Sequence, residues 1–184
     1  GRHHLLPGQS YVIVANHLSQ FDIFVLYGYL GVDFRWVMKH ELRKIPVIGI
    51  CCEKLGHVFI NRDNTEAAIA SLNEARARLA NGASVLFFPE GTRSRDGQLK
   101  PFKKGAFKMA QDLRIPVLPV TLSGTFDILP AGTLRLHPGA TPRLILHPPL
   151  SVTGNSETEL QNLVHRSRAA IATPLSDSCP QPSL

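Results

Sequence analysis

Short, near-continuous apolar runs alternate with longer amphipathic stretches along most of this chain. The run Tyr11-Val12-Ile13-Val14-Ala15 ends at Asn16 and His17, and the apolar pattern resumes at Ile23, just after Asp22. A run of this length with a polar break fits a buried strand, and the segment opening Ile23-Phe24-Val25-Leu26 fits a helix packing back on it. Residues 33–39 read as a second strand. The apolar segment interrupted by Pro46 and Gly49 reads as a short buried helix, and 57–60 as a third strand ending at Asn61 and Arg62. A helix over 65–80 follows, capped by Asp63 or Asn64, with Ala68, Leu72, Ala75 and Leu79 on one face and Asn81-Gly82 as its stop. Residues 84–88 form the kind of run that parallel sheets bury on both faces. A helix over 104–113 and a strand over 117–122 come next, and Pro119 inside that strand predicts an edge position or a bulge. Beyond Ser123, glycines and prolines separate two short strands near Leu134 and Leu144. Pro148-Pro149 ends the sheet, and 157–172 closes the chain as an amphipathic helix. The alternation predicts an α/β fold, a mostly parallel or mixed sheet flanked by helices. It forms one domain over 1–173, and 174–184 are a disordered tail.

Composition narrows the class. A chain of 184 residues, 43% hydrophobic and 18% charged, is one globular domain with a sizeable core. No apolar run approaches the ~18 residues that span a bilayer. The chain begins at Gly1 and enters a strand at once, so a membrane-associating segment is expected upstream. Cys51, Cys52 and Cys179 lack metal-ligand spacing and predict reduced thiols in a cytoplasmic setting, with no metal. Cys51 and Cys52 lie in an apolar segment, the setting of inert buried thiols. The net charge of +6 asks for an anionic partner. Much of it lies between Arg93 and Arg114, where seven Lys/Arg and two Asp leave +5. Such a run is either a solvated face or a surface meeting an anionic membrane or coenzyme phosphates. Nucleic acid is not expected, since aromatics are 7% and no binding motif occurs.

His17 and Asp22 are five positions apart. On one continuous helix that is a rotation of about 500°, so they meet only if the chain turns between them. A carboxylate on one imidazole nitrogen would fix the tautomer and leave the other nitrogen as a base. Ser19-x-x-Asp22 also has the form of a helix capping box, and an acid there suits the helix dipole. The two readings are compatible. Ligands in open parallel sheets bind beyond the carboxyl ends of the strands, and the ends predicted here carry His17, Lys39, Arg62 and the loop Glu90-Gly91-Thr92-Arg93. One base among cations suits a phosphate-bearing substrate, for which arginine is the natural fork. Gly91 lets backbone approach a ligand and Thr92 offers a hydroxyl. The alternatives are plain: Lys39 and Arg62 as ordinary strand-end charges, and Glu90 paired with Arg93.

Four blocks resemble those of the glycerolipid acyltransferases, in order and rough spacing: Asn16 to Asp22, Gly56 to Arg62, Phe88 to Ser94 and Ile115 to Val120. The resemblance is greatest to the lysophosphatidic acid acyltransferases and covers about residues 10–150. It implies His17 as general base, Asp22 as its orienting partner, and Arg62, Glu90, Gly91 and Arg93 as the acceptor-phosphate site, with Thr92 beside them and Lys39 as a second phosphate contact. It also implies transfer of an acyl chain from a thioester, acyl-CoA or acyl-carrier protein, to the hydroxyl of a lysophospholipid. The thioester is a co-substrate and no cofactor is needed. Backbone amides at the His17 turn are the candidates for holding the oxyanion. The expected place of action is a membrane surface, on the cytoplasmic face. Rival readings are an acyltransferase or CoA-independent transacylase for another lysolipid, and a non-catalytic membrane-surface module.

Overall fold

The computed structural model describes residues 1–60, 82–133 and 135–176. Among them runs a six-stranded sheet in the order β3-β2-β4-β1-β5-β6. Its strands are β1 (Val12–Ala15), β2 (Phe34–Lys39), β3 (Val58–Ile60), β4 (Ser84–Phe87), β5 (Val117–Ser123) and β6 (Arg143–Leu146). β1 to β5 are parallel and β6 is antiparallel to β5. The described helices are α1 (Phe21–Tyr29), α2 (Ile48–Lys54), α3 (Gly105–Leu113), α4 (Thr125–Ile128) and α5 (Glu157–Ser176). This is the α/β sheet that the alternation predicts. The expected helix over 65–80 and the site residue Arg62 lie outside the described residues. Leu134 does too, but the described residues on either side of it form turns and no strand, so the strand expected there is not found, in a stretch broken by Pro130, Gly132, Pro138 and Gly139.

Every residue of β1 and β5 is buried, because helices cover both faces of the sheet. Side chains alternate between the faces with the period of two that a strand imposes. Val12, Val14, Val85 and Val117 belong to a core completed by Phe107 and Ala110 of α3 and Leu163 and Ile171 of α5. Ile13, Ala15, Leu86, Leu118 and Val120 form the other core, with Val25 and Leu26 of α1. Each Val, Leu, Ile or Phe side chain among them contributes roughly 1.5–3 kcal/mol on burial.

Pro119 occupies an interior strand, so its position is a bulge and not an edge. Val117 pairs with Leu150 and Val120 with Leu146, so two residues of β5 face three, His147 to Pro149. Pro119 O accepts from His147 N at 3.0 Å. A strand residue points its N–H and C=O to the same side, so the missing donor of Pro119 faces the bulge and costs no bond to β1.

Three expectations need correction. α2 is not buried: of its seven residues only Gly49 is, because the segment packs on its own preceding 3-10 turn, His40–Lys44, with one face open. Cys51 is therefore exposed and Cys52 half-buried, not sequestered. The closing helix, expected over 157–172, continues through Pro174 to Ser176. A proline in the last turn removes a single helical hydrogen bond, and Thr173 Oγ1 donates to Ala169 O at 3.0 Å there.

Candidate active site

The carboxyl edge of the parallel strands carries the site. Fully buried Asn16 follows β1 and prolongs the ladder with its side chain: Nδ2 donates to Leu122 O and Oδ1 accepts from Leu122 N, both at 2.8 Å. From this anchored position the chain turns at His17. Asp22, in the first turn of α1 and fully buried, folds back over the turn. Its Oδ2 accepts from Leu18 N at 2.8 Å and Ser19 N at 2.9 Å, and lies 2.9 Å from His17 Nδ1. Ser19 Oγ accepts from Phe21 N at 3.0 Å and donates to Leu129 O at 2.6 Å. Helix cap and His–Asp pair are thus one structure built on a single carboxylate oxygen. Because Oδ2 already takes two amide protons it is an acceptor, so Nδ1 carries the imidazole proton and Nε2 holds the lone pair. The ring lies flat on Phe88, with centroids 3.7 Å apart and planes within 5°.

Glu90 supports the same turn from the loop after β4. Its Oε1 accepts from His17 N at 2.7 Å and its Oε2 from Lys100 N at 2.9 Å. Burial pushes its carboxyl above the usual range, against the pull of these two amides. Among the described residues it makes no ion pair with Arg93, and it is buried and lines neither of the two clefts at His17. Ser94 N donates to His17 O at 2.8 Å and closes the loop onto the turn. The amides of His17, Leu18 and Ser19 are all committed to Glu90 and Asp22, so these candidate oxyanion donors are not available to a substrate. Gly91 has φ of +79°, a conformation that favours glycine, and a Cβ there would meet only the movable end of the Lys103 side chain.

Two clefts meet at His17 and Gly91. One, of about 350 Å³, is polar and lined by Thr92, Arg93 and Arg95. The other, of about 510 Å³, is largely apolar and lined by Ile23, Tyr27, Trp36, Met38 and Leu42 among others. Lys39 stands on the apolar cleft and Arg93 on the polar one, so these two cations line different clefts that share His17. Lys100 Nζ donates to Arg93 O at 2.8 Å and steadies the polar loop. A tied group walls the apolar cleft: Trp36 Nε1 donates to Tyr27 OH at 2.7 Å, and His57 Nε2 is 3.1 Å from the same oxygen. Burial raises the Tyr27 hydroxyl pKa. Arg95, Phe88 and the Tyr27–Trp36–His57 group were not singled out from the sequence. Arg95 is one cation in a run of seven, and aromatic residues meeting across strands leave no local pattern.

A family model described as Acyltransferase matches residues 1–123. The chain belongs to the Acyltransferase family. The matched residues include every residue lining the apolar cleft and all of the polar one except Ala131 and Gly132. Relatives include a chloroplastic 1-acyl-sn-glycerol-3-phosphate acyltransferase, BAT2, of Brassica napus, 41% identical over 76% of this chain and 40% of its own length. The human 1-acyl-sn-glycerol-3-phosphate acyltransferase alpha is 33% identical over 94% of this chain and 61% of its own length. The chain thus spans about half the length of the curated relatives it matches. The crystal structure of the 1-acyl-sn-glycerophosphate (LPA) acyltransferase PlsC from Thermotoga maritima superposes with a TM-score of 0.78 at 32% identity, over 100% of this chain and 72% of that one. The fold and its membership of the Acyltransferase family agree.

Proposed function

We propose that this acyltransferase domain moves an acyl chain from a thioester, acyl-CoA or acyl-carrier protein, to the free hydroxyl of 1-acylglycerol 3-phosphate, giving phosphatidic acid. One observation carries the reading: an imidazole with a free Nε2 stands where a cationic cleft meets an apolar one. A lysophospholipid and an acyl donor both join an anionic part to a long apolar part, with the reacting atoms between. The names of the relatives favour the same acceptor.

His17 Nε2 takes the acceptor proton as the hydroxyl oxygen bonds to the thioester carbonyl carbon. The tetrahedral intermediate collapses, the C–S bond breaks, and the imidazolium returns the proton to the departing thiolate. That thiolate needs no strong acid, since a free thiol has a pKa of about 8.5. Asp22 holds the tautomer and stabilises the transient imidazolium. Arg93, with Arg95 and Thr92 beside it, holds the acceptor phosphate, and Gly91 lets that phosphate come close to the backbone. Arg62 is assigned to the same phosphate by resemblance alone. Lys39 meets anionic groups from the apolar side. Glu90 acts through His17 and the loop and is a positioning residue. The domain works at a membrane surface on the cytoplasmic face.

The test is acyl transfer from radiolabelled acyl-CoA and acyl-carrier protein across a panel of lysophospholipids, with Arg93→Ala alongside. Wild type is expected to favour the phosphate monoester acceptor. Arg93→Ala is expected to lose about 1.5–3 kcal/mol of kcat/KM for that acceptor and little for the donor. Preference for a choline or ethanolamine lysolipid would replace the acceptor assignment.

A further inference from the structure

The 3-10 turn and α2 carry more apolar surface than a packed element needs. Leu42, Ile45, Val47, Ile48, Ile50 and Leu55 are all more than a third exposed, with Val47 at 70% and Ile50 at 62%. Phe24 on α1, 66% exposed, adds to the apolar surface. The backbone holds this segment in place. A Cβ on Gly49 would lie 2.1 Å from Arg43 O, so α2 sits directly on the preceding turn. Val47 has φ of +67° and ψ of −56°, and Ile48 N donates to Pro46 O at 2.7 Å, a strained three-residue turn. A β-branched residue rarely adopts positive φ, and strain of this kind persists where the surroundings impose it. Here it places two large apolar side chains at an outward tip.

We propose that this tip is where the domain enters the lipid interface, with Val47 and Ile50 inserted and the apolar cleft opening into the acyl layer. Two observations identify a bilayer as the occupant. Ile48, Leu42 and Leu55 belong both to the exposed patch and to the lining of the cleft, so the patch is continuous with the site. Lys39, Lys44 and Lys54 are exposed around it, a cationic collar at the depth of anionic headgroups, with Arg43 beside them paired to Glu53. The basic run from Arg93 to Arg114 is a poorer candidate. Lys104 is paired with Glu157 and Lys108 with Asp112, and none of the large exposed apolar residues lies there. The assignment of the cleft to acyl chains rests on the function proposed above; the insertion of the tip does not.

The experiment measures partition of the protein onto sucrose-loaded vesicles of phosphatidylcholine with phosphatidylglycerol, for wild type, Val47→Asp/Ile50→Asp and Lys104→Ala/Lys108→Ala. Neither Val47 nor Ile50 lines either of the two clefts at His17. The aspartate pair is expected to lower the partition coefficient by about tenfold or more, and the lysine pair to leave it within about twofold. Transfer to a monomeric short-chain lysophosphatidic acid should be unchanged by the aspartate pair, while transfer to the vesicle-borne acceptor falls. Ile50→Trp is a second reading that does not depend on losing anything: brominated phospholipids should quench its added fluorescence. Unchanged partition of the aspartate pair, or no quenching of the added tryptophan, overturns the proposal. So does a wild-type dimer that the aspartates split without altering vesicle binding. If wild type transfers nothing to the soluble acceptor yet partitions through this tip, the function fails and the docking surface stands.

Discussion

At His17, two jobs fall on one neighbouring carboxylate. Asp22 Oδ2 caps the turn through Leu18 N and Ser19 N and orients the imidazole through Nδ1, while its Oδ1 has no partner among the described residues. The two partners of this pair should therefore respond differently. His17→Ala is expected to lower the transfer rate by about 10²–10⁴-fold with the melting temperature nearly unchanged. Asp22→Ala should lower both, since a lost helix cap costs about 0.5–2 kcal/mol. Asp22→Asn keeps an acceptor in place without the charge and should fall between wild type and His17→Ala in rate. Rates beside thermal unfolding of the three variants check this, and a His17→Ala enzyme turning over normally would remove His17 as base. Glu90 makes a further case. Its amide analogue must turn an NH₂ toward one of the two backbone donors, so Glu90→Gln should lower kcat while leaving acceptor KM nearly unchanged. Because burial raises the Glu90 carboxyl pKa, the native state binds the proton more tightly than the unfolded chain. Its contribution to stability is then present below the ordinary glutamate value and is lost as pH rises through the raised one. Glu90→Gln should remove that slope from a pH series of melting temperatures.

Among the elements, the β5 bulge and α5 are joined by one hydroxyl. Thr121 Oγ1 donates to Ile171 O at 3.1 Å and lies 2.8 Å from His147 Nε2. With its own proton on Ile171, the hydroxyl accepts from a neutral His147. Burial lowers the His147 pKa, so the unfolded chain takes up the proton first as pH falls. Stability should decline from the ordinary histidine value downward until the lowered value is passed. His147→Asn should flatten that decline, as followed by unfolding in urea across the range; an unchanged slope would assign it to another group. The α2 segment behaves in the opposite way to α5. α5 closes a core, whereas α2, among the described residues, packs mainly on its own preceding turn and leaves Ile48 and Ile50 more than half exposed.

For the whole molecule, the arrangement favours direct transfer over a covalent relay. Ser19 Oγ is engaged with Leu129 O and Phe21 N, and burial raises the Cys52 thiol, making it a poorer nucleophile at neutral pH. Initial-rate plots against donor and acceptor should intersect, because parallel lines mark a ping-pong route. Denatured enzyme after exposure to donor alone should carry no acyl mass. An adduct formed as fast as turnover would overturn direct attack.

What the sequence determined by itself was the chain order of the six described strands and of α1, α2, α3 and α5, the approach of Asp22 to His17, and the loop from Glu90 to Arg93. These depend on local period, on turn residues and on groups only a few positions apart. Tertiary structure decided the rest. Glu90 turned inward because the turn it supports lies 73 positions away in the chain. Lys39 and Arg93 came to line two different clefts that share His17, because β2, β4 and β1 lie side by side only in the folded sheet. The α2 segment is as apolar as a buried helix and only the packing leaves it exposed: apolar composition reports a preference for leaving water, and does not say whether protein or lipid satisfies it.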